Sequence, residues 1–307
     1  TLMAGFTTVR DVGSLPGFPD VALMKAVNRG TDPGPDIWPA GHNISITGGH
    51  WDITGFAPGI HEHGPKQGIA DGVDEVIKAV RYQAKHGVKV IKVCATGGVF
   101  SFSNNAPVGA QQYSQEELDV IVREASKLGL KVVAHAHGTE GINAAVRAGV
   151  ASIDHGSVLS DESVKLMKQR GTYLVPQAYI SDIPLPPDTP PATIAKNDYL
   201  NPLANESIRK AYKAGVKMAL GTDAGVYRHG DNGREFAALV ARDLPEEHVL
   251  KMATIYAADL LGVDDRGVIA EGTRADLIAV PGNPLDDISV MEDVRFVMKT
   301  GVIYKQD

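Results

Sequence analysis

Five side chains pose the chemical question. Lys92 lies in the run VIKVC, His135 and His137 end VVAHAHG, His155 ends ASIDHG, and Asp223 follows MALGT. Imidazole and carboxylate donors that each close a short apolar run suit a divalent ion such as zinc, and an aspartate beside a metal-held water can take its proton. Lys92 is the odd member. A bare ammonium in a buried β-branched run is badly desolvated and is no metal ligand. Reaction of its amine with carbon dioxide would give a carbamate, an anionic oxygen donor able to bridge two metals. Each residue alone has a plainer explanation: a lysine near a strand end reaches for solvent, a histidine is hydrogen-bonded in the core, an aspartate before Ala-Gly caps a turn. Their joint pattern favours the metal site.

Such residues meet only if the elements between them bring the strand ends together. Alternating apolar patterns predict strands beginning near residues 6, 37, 89, 131, 152, 172 and 217, the last running over 217–223. Helical patterning falls between them, over 19–28, 72–86, 139–148 and 160–170. Ser114 with Glu117 makes a capping box for a helix to 128. Glycines 129, 149 and 171 close helices as C-terminal glycines do. A proline-rich loop over 184–193 precedes a longer helix to about 214, and helices over 233–242 and 245–262 end the pattern. Seven βα units are one short of a (β/α)8 barrel, whose strands converge at their C-terminal ends. The expected fold is therefore α/β, a TIM-like barrel lacking its first strand in this chain, the missing strand lying upstream of Thr1. From Gly267 short β runs replace helices, so residues 1–266 are assigned to the barrel and 267–307 to part of a small β-sandwich annex.

The 307 residues carry a formal charge of −7, which argues against nucleic acid as the main partner, and no uncharged apolar run is long enough to span a membrane. A small-molecule or dipeptide-like substrate is the better expectation. The single cysteine, Cys94, excludes an internal disulfide and leaves the compartment open; as a small buried filler it has no obvious activating neighbour. The glycine-rich segment 41–68 holds His42, His50, His61 and His63, of which His50 is a candidate to line the substrate pocket. Gly97-Gly98 lacks any phosphate-loop pattern.

The motifs GFTTVRDVG, TGGHWD, VIKVCATGGV, VVAHAHG, SIDHGS, ALGTDAG, ATIYAADLLGV and GVIAEGTRADLIAVPGNPL cover nearly the whole chain. Through them it resembles the amidohydrolase superfamily, and within it the imidazolonepropionase-like branch that includes Xaa-Pro dipeptidases, carboxypeptidases for dipeptides and N-acyl amino acids, and ochratoxin-hydrolysing amidases. The resemblance implies that Lys92 is a carboxylated bridging ligand, that His135 and His155 hold one zinc, and that Asp223 binds a second and shuttles the proton. It gives His137 the orientation of the substrate, and Arg228 and His229 contact with a substrate carboxylate. The family's first-strand His-x-His pair has no match here; His61 and His63 have the spacing but follow the second predicted strand. The expected activity is zinc-dependent hydrolysis, by a metal-bridged hydroxide, of an amide or peptide bond beside a free carboxylate, in a homo-oligomer. A cyclic-amide hydrolase and a catalytically silent scaffold are the alternatives.

Overall fold

In a computed structural model of the chain, residues 1–14, 16–101 and 107–307 are described. The strands are β1 (Thr8–Asp11), β2 (Asp36–Pro39), β3 (Val90–Cys94), β4 (Lys131–Ala136), β5 (Ser152–His155) and β6 (Tyr173–Val175), followed by β7 (Leu277–Ala279), β8 (Phe296–Lys299) and β9 (Val302–Gln306). The helices are α1 (Pro19–Asn28), α2 (Gly72–His86), α3 (Gln115–Lys127), α4 (Thr139–Ala148), α5 (Asp161–Arg170), α6 (Pro191–Ala214), α7 (Arg234–Val240), α8 (Glu246–Ala253) and α9 (Ile255–Leu261). Ser114 caps α3 through the expected box, its hydroxyl accepting from Glu117 N.

Strands β3 to β6 pair in chain order and in parallel, as do β1 and β2. Backbone bonds extend the order at both sides. Lys89 N donates to Pro39 O, and Ile44 N to Lys92 O, each at 2.8 Å, joining the end of β2 and its continuation to β3. On the far side Leu174 N donates to Lys217 O and Ala219 N to Leu174 O. The strand expected over 217–223 is thus reduced to a parallel bridge at Met218. The reason is a tertiary contact: Leu220 N donates to Met252 O, at the end of α8, instead of to a strand. The helix expected over 245–262 breaks at Thr254, whose ψ of −97° is not helical; Gly267 packs there, within 3.2 Å of the Ile255 backbone if given a Cβ.

Strand alternation sorts the side chains into two sets. Ile91, Val93, Val132, Ala134, Ile153 and Leu174 join the large core that includes residues of α2 to α5. The other face carries Val90, Val133, Tyr173 and Val175 in smaller clusters. It also carries Lys92, His135 and Asp154, placed by the register Lys92↔Val133 and His135↔Asp154. Arg10 reaches from β1 to Ser152 and Asp154 in β5, so its side chain joins this second set. No helix among the described residues is long and apolar enough to cross a membrane.

Strands β7, β8 and β9 form a separate antiparallel sheet, and we propose the domain boundary at residues 266 and 267, where helices give way to it. Asp36 at the start of β2 anchors the sheet: its carboxylate meets Lys299 of β8 at 2.8 Å, Arg274 at 2.7 Å and Arg266 at 3.1 Å. Burial would raise its carboxyl pKa, but Lys299 and then Arg274 outweigh burial and hold it below the ordinary value of 3.8. Because the folded value is depressed, the stabilisation is present above the unfolded pKa and is lost as pH falls through the folded one. Asp36→Asn is therefore expected to cost about 2 kcal/mol in chemical denaturation near neutral pH, the gap closing as pH drops below 3.8. Equal stability of the two proteins at pH 7 would remove Asp36 as the anchor.

Candidate metal centre

His135 is the penultimate residue of β4, His137 follows that strand, and His155 is the final residue of β5. Their ligand-capable nitrogens all lie within 4.8 Å of one another. Each ring reaches this point by a different local device. His155 has a left-handed φ of 73°, followed by Gly156 at 62°, so the chain leaves the strand sharply and the imidazole joins its neighbours. Its backbone N donates to Gln177 Oε1 at 2.9 Å. His137 N donates to Thr96 Oγ1 at 3.0 Å, and its Nδ1 is 2.7 Å from Ser157 Oγ. That bond fixes the ring and leaves Nε2 as the free nitrogen, the arrangement typical of a histidine ligand. The rings of His137 and His155 stack with centroids 4.6 Å apart, and His135 meets both edge-on at 4.7 Å.

His135 is the most enclosed of the three. Among the described residues its buried Nε2 has no hydrogen-bond partner. Gly98 lies so close that a Cβ would fall 2.9 Å from that nitrogen, which is why only glycine fits there. The ring of His50 stacks on His135 at 3.8 Å and 11°, while its Nδ1 lies 2.7 Å from Ser101 Oγ. Burial, then neighbouring positive charge, pushes the pKa of His135 and His137 well below the ordinary value and that of His50 to about 3. His155 is lowered by burial too, with the Asp223 carboxylate opposing the shift. Neutral imidazoles converge on one point, and one buried nitrogen is orphaned there. This donor set fits a divalent ion.

Lys92 has a partner that sequence reasoning missed. Its Nζ donates to Asp154 Oδ2, and Asp154 also takes Arg10 Nη2 at 2.9 Å and Ser152 Oγ at 3.0 Å. Burial would raise the Asp154 pKa, but Lys92 and then Arg10 dominate and hold it at about 2. The signal was available: Ser152 and Asp154 alternate on β5 as inward residues, and a buried cation calls for a buried anion. Glu235 of α7 was also missed. It is fully buried, accepts Ala178 N at 2.7 Å and Tyr179 N at 2.9 Å, and is pushed by burial to about 8. It thereby pins the segment whose Gln177 holds the backbone of His155.

Asp223, with φ of 54°, lies outside the three-nitrogen cluster but close enough to act on the charge of His155. Arg228 and His229 are exposed, and His229 Nδ1 is 3.0 Å from Thr1 Oγ1. His61 and His63 face each other at 6.4 Å in the glycine-rich loop. His42 is buried against Phe18 and bonded to Lys66 O. Cys94, opposite His135 in register, is buried and its thiol is pushed up to about 12, a value that makes it a filler.

Parallel strands with helices between them, and histidines converging where two adjacent strands end, define an α/β protein with a metal-capable centre. The chain belongs to the amidohydrolase family, whose model matches residues 1–304. It is 37% identical to ochratoxinase of Aspergillus niger over 99% of its own length, and spans 66% of that relative's. Among solved structures it is similar to a Xaa-Pro dipeptidase with methionine bound in the active site, at TM-score 0.92 and 41% identity, over 99% of this chain and 76% of that one. A prolidase complexed with N-methylphosphonate-L-proline matches at TM-score 0.86 and 35% identity, over 100% of this chain and 77% of that one. These neighbours give the fold as the α/β TIM-barrel type.

Asp154→Ala would leave Lys92 and Arg10 facing each other inside the protein with no shared anion. A loss of roughly 3–5 kcal/mol in urea unfolding is expected. Replacing Lys92 by Met in that background should recover part of it. Strictly additive costs in this double-mutant cycle would show that Asp154 and Lys92 are not energetically coupled.

Proposed function

We propose that this protein is a zinc-dependent hydrolase of amide or peptide bonds beside a free carboxylate, acting on dipeptides or N-acyl amino acids, with ochratoxin-like amides within the same class. The observation that carries the reading is the convergence of His135, His137 and His155 with the buried, unpartnered Nε2 of His135. Names in the family agree in kind: ochratoxinase, a Xaa-Pro dipeptidase and a prolidase are its relatives.

His135 and His155 would hold the metal, with His137 completing the nitrogen set or turning its free Nε2 to the substrate carbonyl. Lys92 is proposed as a further ligand once carboxylated: its neutral amine nitrogen bonds to the carbon of carbon dioxide and gives up a proton to water. Asp154 need not then be left alone, because Arg10 and Ser152 remain bonded to it. A metal held by these residues supplies Lewis acidity, polarising the carbonyl and acidifying a water. The chain's own contribution to the proton path is Asp223, whose carboxylate takes the proton of the attacking water and returns it to the leaving amine nitrogen. The covered position of His135 beneath Gly98 and His50 excludes bulk water from one side of the cluster and strengthens every electrostatic contact there.

Two measurements on the full-length protein test this. Asp223→Asn should lower kcat on a dipeptide or N-acyl amino acid by about 10²-fold or more with the circular dichroism unchanged; retained turnover would remove Asp223 from the proton path. His135→Ala should lower zinc per chain in elemental analysis after exhaustive dialysis. Unchanged zinc content in that variant would place the metal elsewhere.

A further inference from the structure

Beside the histidine cluster stands a cation with no anion among the described residues. Lys196, in the second turn of α6, is half-buried, and its Nζ donates to the Ser101 carbonyl at 3.0 Å. Among the described residues no carboxylate lies within 4.0 Å of that nitrogen. The other enclosed cations near the strands are committed: Arg10 and Lys92 to Asp154, and Arg266, Arg274 and Lys299 to Asp36. Ser101 leads straight into the site. Its hydroxyl accepts from Gly98 N at 2.7 Å and lies 2.7 Å from His50 Nδ1, and the His50 ring stacks on His135. Lys196 also weighs electrostatically on His50.

We propose that Lys196 receives the free carboxylate of the substrate and so selects N-acyl amino acids and dipeptides over uncharged amides. The inference rests on the amidase reading and names the residue that would give it this selectivity. In an N-acyl amino acid the carboxylate is attached one carbon from the scissile nitrogen. With the amide carbonyl at the histidine cluster, the carboxylate needs a cation beside the cluster, and Lys196 is linked to it through Ser101 and His50. A lysine suits the task because its flexible stem and compact charge can exchange a neutral carbonyl for a carboxylate. The bond so formed joins two opposite charges, where the carbonyl offers the ammonium only a dipole. His229, by contrast, is exposed and bonded to Thr1.

The test compares N-acetyl-L-methionine with its carboxamide on the full-length zinc-loaded protein and on Lys196→Gln, Lys196→Arg and Arg228→Gln. The parent protein should prefer the acid. Lys196→Gln should raise KM for the acid by roughly 10- to 100-fold with kcat little changed, and should leave the carboxamide kinetics as they were; a charge-assisted pair of this kind has that weight. Lys196→Arg should restore much of the acid preference. In titration calorimetry L-methionine, the product, should bind Lys196→Gln more weakly by a similar factor. Equal losses on acid and carboxamide would mean that Lys196 only anchors the 97–101 loop and would overturn the proposal. So would loss of acid preference in Arg228→Gln with Lys196→Gln unaffected. If the parent protein hydrolyses neither compound and no dipeptide, the amidase reading itself falls and the assignment of Lys196 falls with it.

Discussion

The interior of this protein is organised by one buried carboxylate. Asp154 lies in the middle of the parallel sheet with two cations on it, Lys92 from β3 and Arg10 from β1. Three charged groups can be kept from water only when each is paired and hydrogen-bonded, and here Ser152 completes the set. The pairing has a geometric consequence. Because Arg10 reaches β5 from β1, two strands that are not neighbours are tied across the interior, and the inward side chains between them are brought to one place. His135 stands opposite Asp154 in register, so the charged layer supports the histidine layer directly.

Above that layer the site is built from backbone in sparsely populated conformations. His155 and Asp223 both have positive φ, which costs a non-glycine residue energy and persists only where the surroundings over-determine it. The surroundings are visible. Gln177 holds the His155 backbone, Glu235 holds the segment that carries Gln177, and Leu220 is drawn to the end of α8 just before Asp223. Gly98 and Gly138 allow backbone to approach where any side chain would collide, with His135 and with the Gly109 carbonyl respectively. The result is a cluster of imidazoles kept neutral by burial, the form that binds metal.

This arrangement separates two tasks. The parallel strands and the segments that follow them carry the groups that would hold a metal and move a proton, whereas the long loop with His50, the 97–101 loop and the start of α6 cover one side of them. Chemistry common to a family can then be retained on the strands while selectivity is set by the covering segments. Lys196 belongs to the covering set, which is why a substrate carboxylate is better sought there than among the residues that follow Asp223.

The alternation of apolar runs and glycine-closed helices was enough to predict the parallel α/β order, because strand and helix periods are local properties of a chain. The same local signals picked out His135 and His155 near the ends of β4 and β5, whereas Lys92 stands in the middle of β3 and Asp223 follows a strand that is reduced to one bridge. What they lacked was pairing. Lys92 reads as a cation in need of an explanation, since its anion lies 62 residues away, and alternation on β5 marks Asp154 as an inward anion without showing which cation it meets. His50, Glu235 and Lys196 likewise acquire meaning only from contacts across the fold. The shortened strand at 217–223 and the break at Thr254 are tertiary decisions too: a backbone amide taken by α8, and a glycine packed against a helix. Sequence by itself determined the order of parallel strands and helices and marked residues whose types could do chemistry. Only the tertiary structure decided which charges neutralise one another, because burial makes an unpaired charge costly and long-range packing alone chooses its partner.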